Sequence, residues 1–127
     1  MGNKVVYICG KDQISSRLAW ILKEFRRGIV LKLYETAEKL NKDLENGVLS
    51  NLLILDTAVL KRPVCEFAVE FHKQRPSLNT VLVVYPSTKK DDIMEVIKTS
   101  AVQGIIVAPF TGEIVCKYVD RLMGRIQ

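Results

Sequence analysis

Five short apolar runs alternate with five amphipathic stretches along this chain. The runs are KVVYIC at 4–9, GIVLKLY at 28–34, NLLILD at 51–56, TVLVVY at 80–85 and GIIVA at 104–108. The third holds four consecutive large aliphatics and ends on Asp56. Continuous apolar runs of this length, bounded by turn residues, suit strands buried on both faces. Between the runs the apolar period lengthens to that of a helix. Ile14, Leu18, Ile21, Leu22 and Phe25 share one face of a helix expected over 13–25, with Asp12 as its N-cap and Trp20 on the opposite side. Arg26-Arg27-Gly28 closes it, with cations at the negative end of the helix dipole. Thr36 caps a second helix over 37–45, whose sparse apolar positions are Ala37, Leu40 and Leu44, and Asn46-Gly47 stops it. A third helix starts at Pro63 or Val64, turns Phe67, Val69 and Phe71 inward, and ends at Pro76. Ser87 or Thr88 caps a fourth, with Asp91 and Asp92 in its first turn and Ile93, Val96, Ile97 and Ala101 on its buried face. The last follows Pro109-Phe110-Thr111 and carries Ile114, Val115, Tyr118, Val119 and Leu122.

Strand–helix alternation through short connections predicts an α/β fold. Right-handed crossovers give a five-stranded parallel sheet with helices on both faces. The common strand order at this length is 2-1-3-4-5, a flavodoxin-like arrangement. Its switch point lies between the first and third strands, where ligands gather at the carboxyl ends. Cys9 and Gly10 are then expected to face Asp56.

Composition adds limits. A chain of 127 residues is the size of one domain, spanning 1–127. Arg125, Ile126 and Gln127 would suit the start of a linker to a further domain. Hydrophobic residues make up 48% and charged residues 26%, which is ordinary for a globular protein. No stretch is long and apolar enough to cross a membrane. The start has no signal-peptide pattern, and Val6 in place of Ser or Thr removes Gly2 as a myristoylation site. Cys9, Cys65 and Cys116 are far apart and odd in number, which argues against disulfides and zinc and for a reducing, cytoplasmic setting. The net charge of +5 is spread over short basic blocks, so neither nucleic acid nor membrane is an expected partner.

Three blocks resemble the response-regulator receiver domain of two-component signalling. LLILD, ending at Asp56, is similar to the strand that carries the phosphorylated aspartate. TVLVVYPS followed by KKDDIMEVIKTSA is similar to the fourth strand and helix. QGIIVAPFTGEIV, at 103–115, resembles the fifth strand, the cis-proline turn and the last helix. The resemblance covers essentially the whole chain. It implies a (βα)5 receiver fold, Asp56 as phospho-acceptor, Mg²⁺ as cofactor, and a histidine kinase, an output domain or another signalling protein as partners.

The departures from the family pattern are as informative. The acidic pair that would hold Mg²⁺ is replaced by Cys9 and Gly10. Ala108 stands where the family has a phosphate-contacting lysine. Tyr85 stands for the hydroxyl residue that senses phosphorylation, with Ser87 two residues on, and Ile105 for the switch aromatic. Mg²⁺ is usually held through carboxylates, and phosphoryl transfer relies on cations that neutralise developing charge. Asp12 is the remaining candidate metal ligand beside Asp56, with helix capping as its simpler role.

These features predict a degenerate, pseudo-receiver domain of a phosphorelay: a protein-interaction module with weakened or absent phosphorylation, not an enzyme beyond self-catalysed phosphoryl transfer to Asp56. A conventional receiver using Asp56 and Mg²⁺ is one alternative. Another is a phosphocysteine carrier using Cys9, since CGKDQISSRL resembles the carrier loop of the sugar phosphotransferase system. Asp12 opposes bound phosphate there, and Cys9 as a small buried residue is the preferred reading. His72, alone on its helix with no partner cluster, is expected at the surface or an interface. Trp20 and Tyr118 are candidate interaction residues, the latter on a face shared with Met94, Lys98 and Ile105, and a homodimer is one expected assembly.

Overall fold

The computed structural model describes residues 4–123. Gly2 and the stretch 125–127 lie outside the described residues. The chain runs β1 (Lys4–Cys9), α1 (Asp12–Phe25), β2 (Ile29–Tyr34), α2 (Ala37–Leu44), β3 (Leu52–Asp56), a 3-10 turn (Thr57–Val59), α3 (Val64–Gln74), β4 (Asn79–Val84), α4 (Lys90–Thr99), β5 (Gly104–Val107) and α5 (Gly112–Met123). The five strands form one parallel sheet in the order β2-β1-β3-β4-β5, as expected.

Period-two alternation divides the core into two layers. Val6, Ile8, Leu52, Ile54, Val81 and Val83 face Leu18, Ile21, Leu22, Val115 and Val119 of α1 and α5. Tyr7, Cys9, Leu53, Leu55, Leu82 and Val84 face Leu40, Leu44, Phe67, Phe71 and Val96 of the other three helices. Every residue of β3 is buried, which is why its sequence is an unbroken apolar run. Burying each of its aliphatic side chains is worth roughly 1.5–3 kcal/mol.

The differences from expectation sit at element ends. Lys11, not Asp12, is the N-cap of α1, and it offers no side-chain cap. The backbone N–H of Lys11 is drawn to Asp56, so the helix opens at Asp12, where a carboxylate still complements the dipole. Neither Ser87 nor Thr88 caps α4; Lys89 holds that position. The Thr88 hydroxyl instead accepts from the Tyr85 backbone N–H at 3.0 Å. Thr36 caps α2 as expected, accepting from Lys39 N–H. The fourth strand ends one residue early, which frees Tyr85 from the ladder. Phe25 and Ile97 are exposed rather than buried. Val69 is half-buried, and Ala68 takes the inward position beside Phe67 and Phe71. The Ala108–Pro109 peptide is cis, as the resemblance implies.

Candidate functional site

The carboxyl ends of β1 and β3 bring Gly10 and Asp56 together, and the end of β4 adds Tyr85. Asp56 is 1% exposed. Its Oδ2 accepts the Lys11 backbone N–H at 3.1 Å. Its Oδ1 accepts the Ala58 backbone N–H at 3.0 Å and the Tyr85 hydroxyl at 2.6 Å. An ionised carboxylate has about four acceptor positions, and three are filled here. Only the Ala58 donor follows from local folding, since the 3-10 turn after β3 makes Asp56 its cap. The Lys11 and Tyr85 donors are tertiary: they lie 45 and 29 residues from Asp56, at the ends of other strands.

The Tyr85 phenol is held well above the ordinary tyrosine range. Burial is the main cause, followed by its hydrogen bond to Asp56 and the charge of that carboxylate. It therefore stays protonated and acts as a donor. The pair is a satisfied buried polar contact, and such groups are costly only when left unpaired.

Gly10 determines how close the two strand ends come. A Cβ on Gly10 would lie 2.8 Å from the Cβ of Asp56 and 3.3 Å from its Oδ2. No side chain of any kind fits there without displacing Asp56. Beneath it the Ser15 hydroxyl donates to the Gly10 carbonyl at 3.2 Å. Cys9 is fully buried among Tyr7, Leu40, Leu53 and Leu55, on the α2–α3 side of the sheet. Its thiol is pushed up to about 12, by burial first and then by the charges of Asp56 and Glu38. A buried neutral thiol is a poor nucleophile, so burial in the apolar layer argues against the carrier reading of Cys9.

The remaining family positions are apolar. Ala108 is buried. Together with Ile14, Tyr85, Pro109 and Phe110 it walls an open trough of about 450 Å³, with Arg17 and Gln13 on the rim. One Arg17 nitrogen donates to the Phe110 carbonyl at 3.0 Å, and the guanidinium lies 5.6 Å from the Phe110 ring centre. Ile105 is half-buried against the second core layer. Asp12 is exposed in the first turn of α1. Among the described residues no three His, Cys, Asp or Glu side chains converge on a common point. Octahedral oxygen coordination of Mg²⁺ therefore does not fit the groups around Asp56: a single carboxylate is already engaged by three N–H or O–H donors.

The interaction candidates separate. Trp20 is 60% exposed, and its nearest aromatic neighbour is Phe25, edge-on at 6.2 Å. Tyr118 is half-buried and built into the fold. Its ring lies on Gly104, where a Cβ would come within 2.4 Å of Cε1. Its hydroxyl donates to the Ile105 carbonyl at 3.2 Å, and the Arg121 guanidinium covers the ring at 4.8 Å. Tyr118 thus braces α5 against β5. Met94 and Lys98 are exposed on α4. His72 is half-buried, and its Nδ1 has no partner among the described residues. Sequence reasoning noted Tyr85 as a departure but missed it as the donor to Asp56. The available signal was a phenol at the end of an apolar strand expected to lie beside the strand that ends on Asp56.

No family model matches the chain, and no curated protein is similar to it in sequence. Solved structures do match. A CheY-like response regulator receiver domain protein from Methanospirillum hungatei is similar over 94% of this chain and 93% of its own, with a TM-score of 0.79 and 18% identity. The signal receiver domain of an HD domain-containing protein from Pseudomonas fluorescens is similar over 97% and 88%, with a TM-score of 0.83 and 14% identity. NtrX from Brucella abortus, in a complex with ATP, matches 97% of this chain with a TM-score of 0.75 and 17% identity, but the match spans only 27% of NtrX. The chain therefore has the fold of response-regulator receiver domains. Fold alone does not assign chemistry, which has to be argued from the site.

Proposed function

We propose that this chain is a receiver-like signal-transduction domain that acts as a protein-interaction module, with phosphorylation of its aspartate weakened or absent. The observation that carries the proposal is the engagement of Asp56. Tyr85 hydroxyl, Lys11 N–H and Ala58 N–H occupy both carboxylate oxygens, and Gly10 leaves no space for an acidic neighbour. Phosphoryl transfer to a carboxylate requires a free oxygen, an in-line donor and cations that take up developing charge. Ala108 brings no cation to the site, and Cys9 brings no carboxylate. In this reading Tyr85 supplies internally the contact that a metal and phosphoryl group would make in a working receiver.

The partners in this proposal are proteins of a two-component or phosphorelay pathway: a histidine kinase, an output domain or another signalling protein. A reducing, cytoplasmic setting suits three unpaired cysteines. No described helix is long and apolar enough to cross a membrane.

The test is to incubate the protein with millimolar Mg²⁺ and either acetyl phosphate or beryllofluoride. Intact mass and the emission of Trp20 are then followed. Neither is expected to change. An acyl-phosphate adduct mapped to Asp56 would return the protein to the conventional phosphorylated reading.

A further inference from the structure

The outward face of α1 is self-complementary under a two-fold axis. Trp20 stands at its centre, 60% exposed, on a helix whose opposite face is the buried stripe Ser15, Leu18, Ala19 and Leu22. Arg17 precedes it by one turn and Glu24 follows it by one turn, both exposed. Neither has an ion-pair partner among the described residues. One Arg17 nitrogen donates to the Phe110 carbonyl, and the residue remains exposed, with further N–H donors to offer.

Arg17 and Glu24 are seven residues apart, about 10.5 Å along the axis, so they lie on the same flank of the helix. When two such helices pair antiparallel about a two-fold axis, residues on one flank meet the same flank of the partner. With the axis beside Trp20, Arg17 of each copy falls opposite Glu24 of the other, and the two indoles meet at the centre. On the other flank Ser16 and Lys23 come to lie about 3 Å apart along the axis, so no like charges are brought together. The pairing gives two reciprocal ion pairs around an aromatic contact, which is the pattern of an isologous interface.

We propose that α1 is a homodimer surface, and that its occupant is α1 of a second copy of this chain. The surface is built from α1 side chains that take no part in holding Asp56, so the inference does not rest on the reading of Asp56. With one large aromatic at its centre, the association is weak, with a dissociation constant on the order of 100 µM.

Trp20 is the sole tryptophan, so it reports directly on its own burial. Sedimentation velocity and tryptophan emission are measured together over about 5 µM to 1 mM protein. The expected result is a monomer–dimer equilibrium with a blue shift that follows dimer formation. Trp20→Ala weakens association at least ~10-fold. Glu24→Arg weakens it as well, and the double variant Arg17→Glu with Glu24→Arg restores it, because the swap rebuilds both pairs. Circular dichroism confirms that each variant is folded. A wild-type protein that stays monomeric across the range overturns the proposal, including the case in which Trp20 serves a different protein. So does a dimer whose emission is independent of concentration, a Trp20→Ala protein that dimerises like wild type, or a double swap no better than Glu24→Arg alone.

Discussion

The Tyr85 hydroxyl donates to Oδ1 of Asp56 across 2.6 Å, joining the ends of β4 and β3. Around it the backbone N–H groups of Lys11 and Ala58 complete the set of donors. This contact sits at the carboxyl ends of the parallel strands, and with the two N–H groups it engages both oxygens of the carboxylate.

Removing the hydroxyl tests that role. Tyr85→Phe keeps the ring but leaves a buried carboxylate one donor short. A loss of about 1–3 kcal/mol in unfolding free energy is expected, because an unsatisfied buried acceptor carries its desolvation cost. Urea denaturation followed by circular dichroism measures it. An unchanged midpoint would mean that water replaces the phenol without cost.

Gly10 is expected to tolerate substitution poorly. Its Cβ would meet Asp56 Cβ at 2.8 Å. Gly10→Ala should destabilise by about 1–3 kcal/mol through overpacking. Gly10→Asp should cost more, since it adds a second carboxylate against the first. Thermal unfolding of both variants ranks them, and wild-type stability in Gly10→Asp would show that the β1–α1 turn can move aside.

The cysteines should differ in reactivity. Cys9 and Cys116 are buried, whereas Cys65 is half-buried at the start of α3. Iodoacetamide at pH 8 is expected to modify Cys65 first and Cys9 only after denaturation, read by peptide mass mapping. Because the folded Cys9 thiol is raised from 9.0 to about 12, the unfolded chain binds fewer protons than the folded one between those values. Its contribution to stability is therefore full below about pH 9 and is lost as pH rises toward 12.

Tyrosine titration carries the same sign. Tyr34 and Tyr85 are both raised above the usual phenol value, by burial first and then by hydrogen bonds to Asp43 and Asp56 respectively. Ultraviolet titration should place the Tyr34 and Tyr85 transitions at higher pH in the native protein than in the unfolded chain. In Asp56→Asn the Tyr85 transition should move down, since the charge that suppresses phenolate formation is gone. A Tyr85 transition unmoved by that substitution would show that burial alone sets it.

The sequence by itself determined the alternation of elements, the parallel order of the sheet and the central place of Leu52–Asp56. These follow from period: unbroken apolar runs have one home, a strand covered on both faces, and helical spacing marks what covers it. It also put Trp20 on the helix face opposite the apolar stripe, a local property, but its exposure is settled by the fold. What only the tertiary structure decided are the contacts between strand ends. Tyr85 reaching Asp56, Gly10 pressed on the same carboxylate, Lys11 N–H donated to it and Tyr118 laid on Gly104 all join residues that lie on different elements of the chain. No local pattern encodes such distances, and they depend on where each strand stops. A strand ending one residue early at Val84 is what frees the phenol of Tyr85 to fill the site.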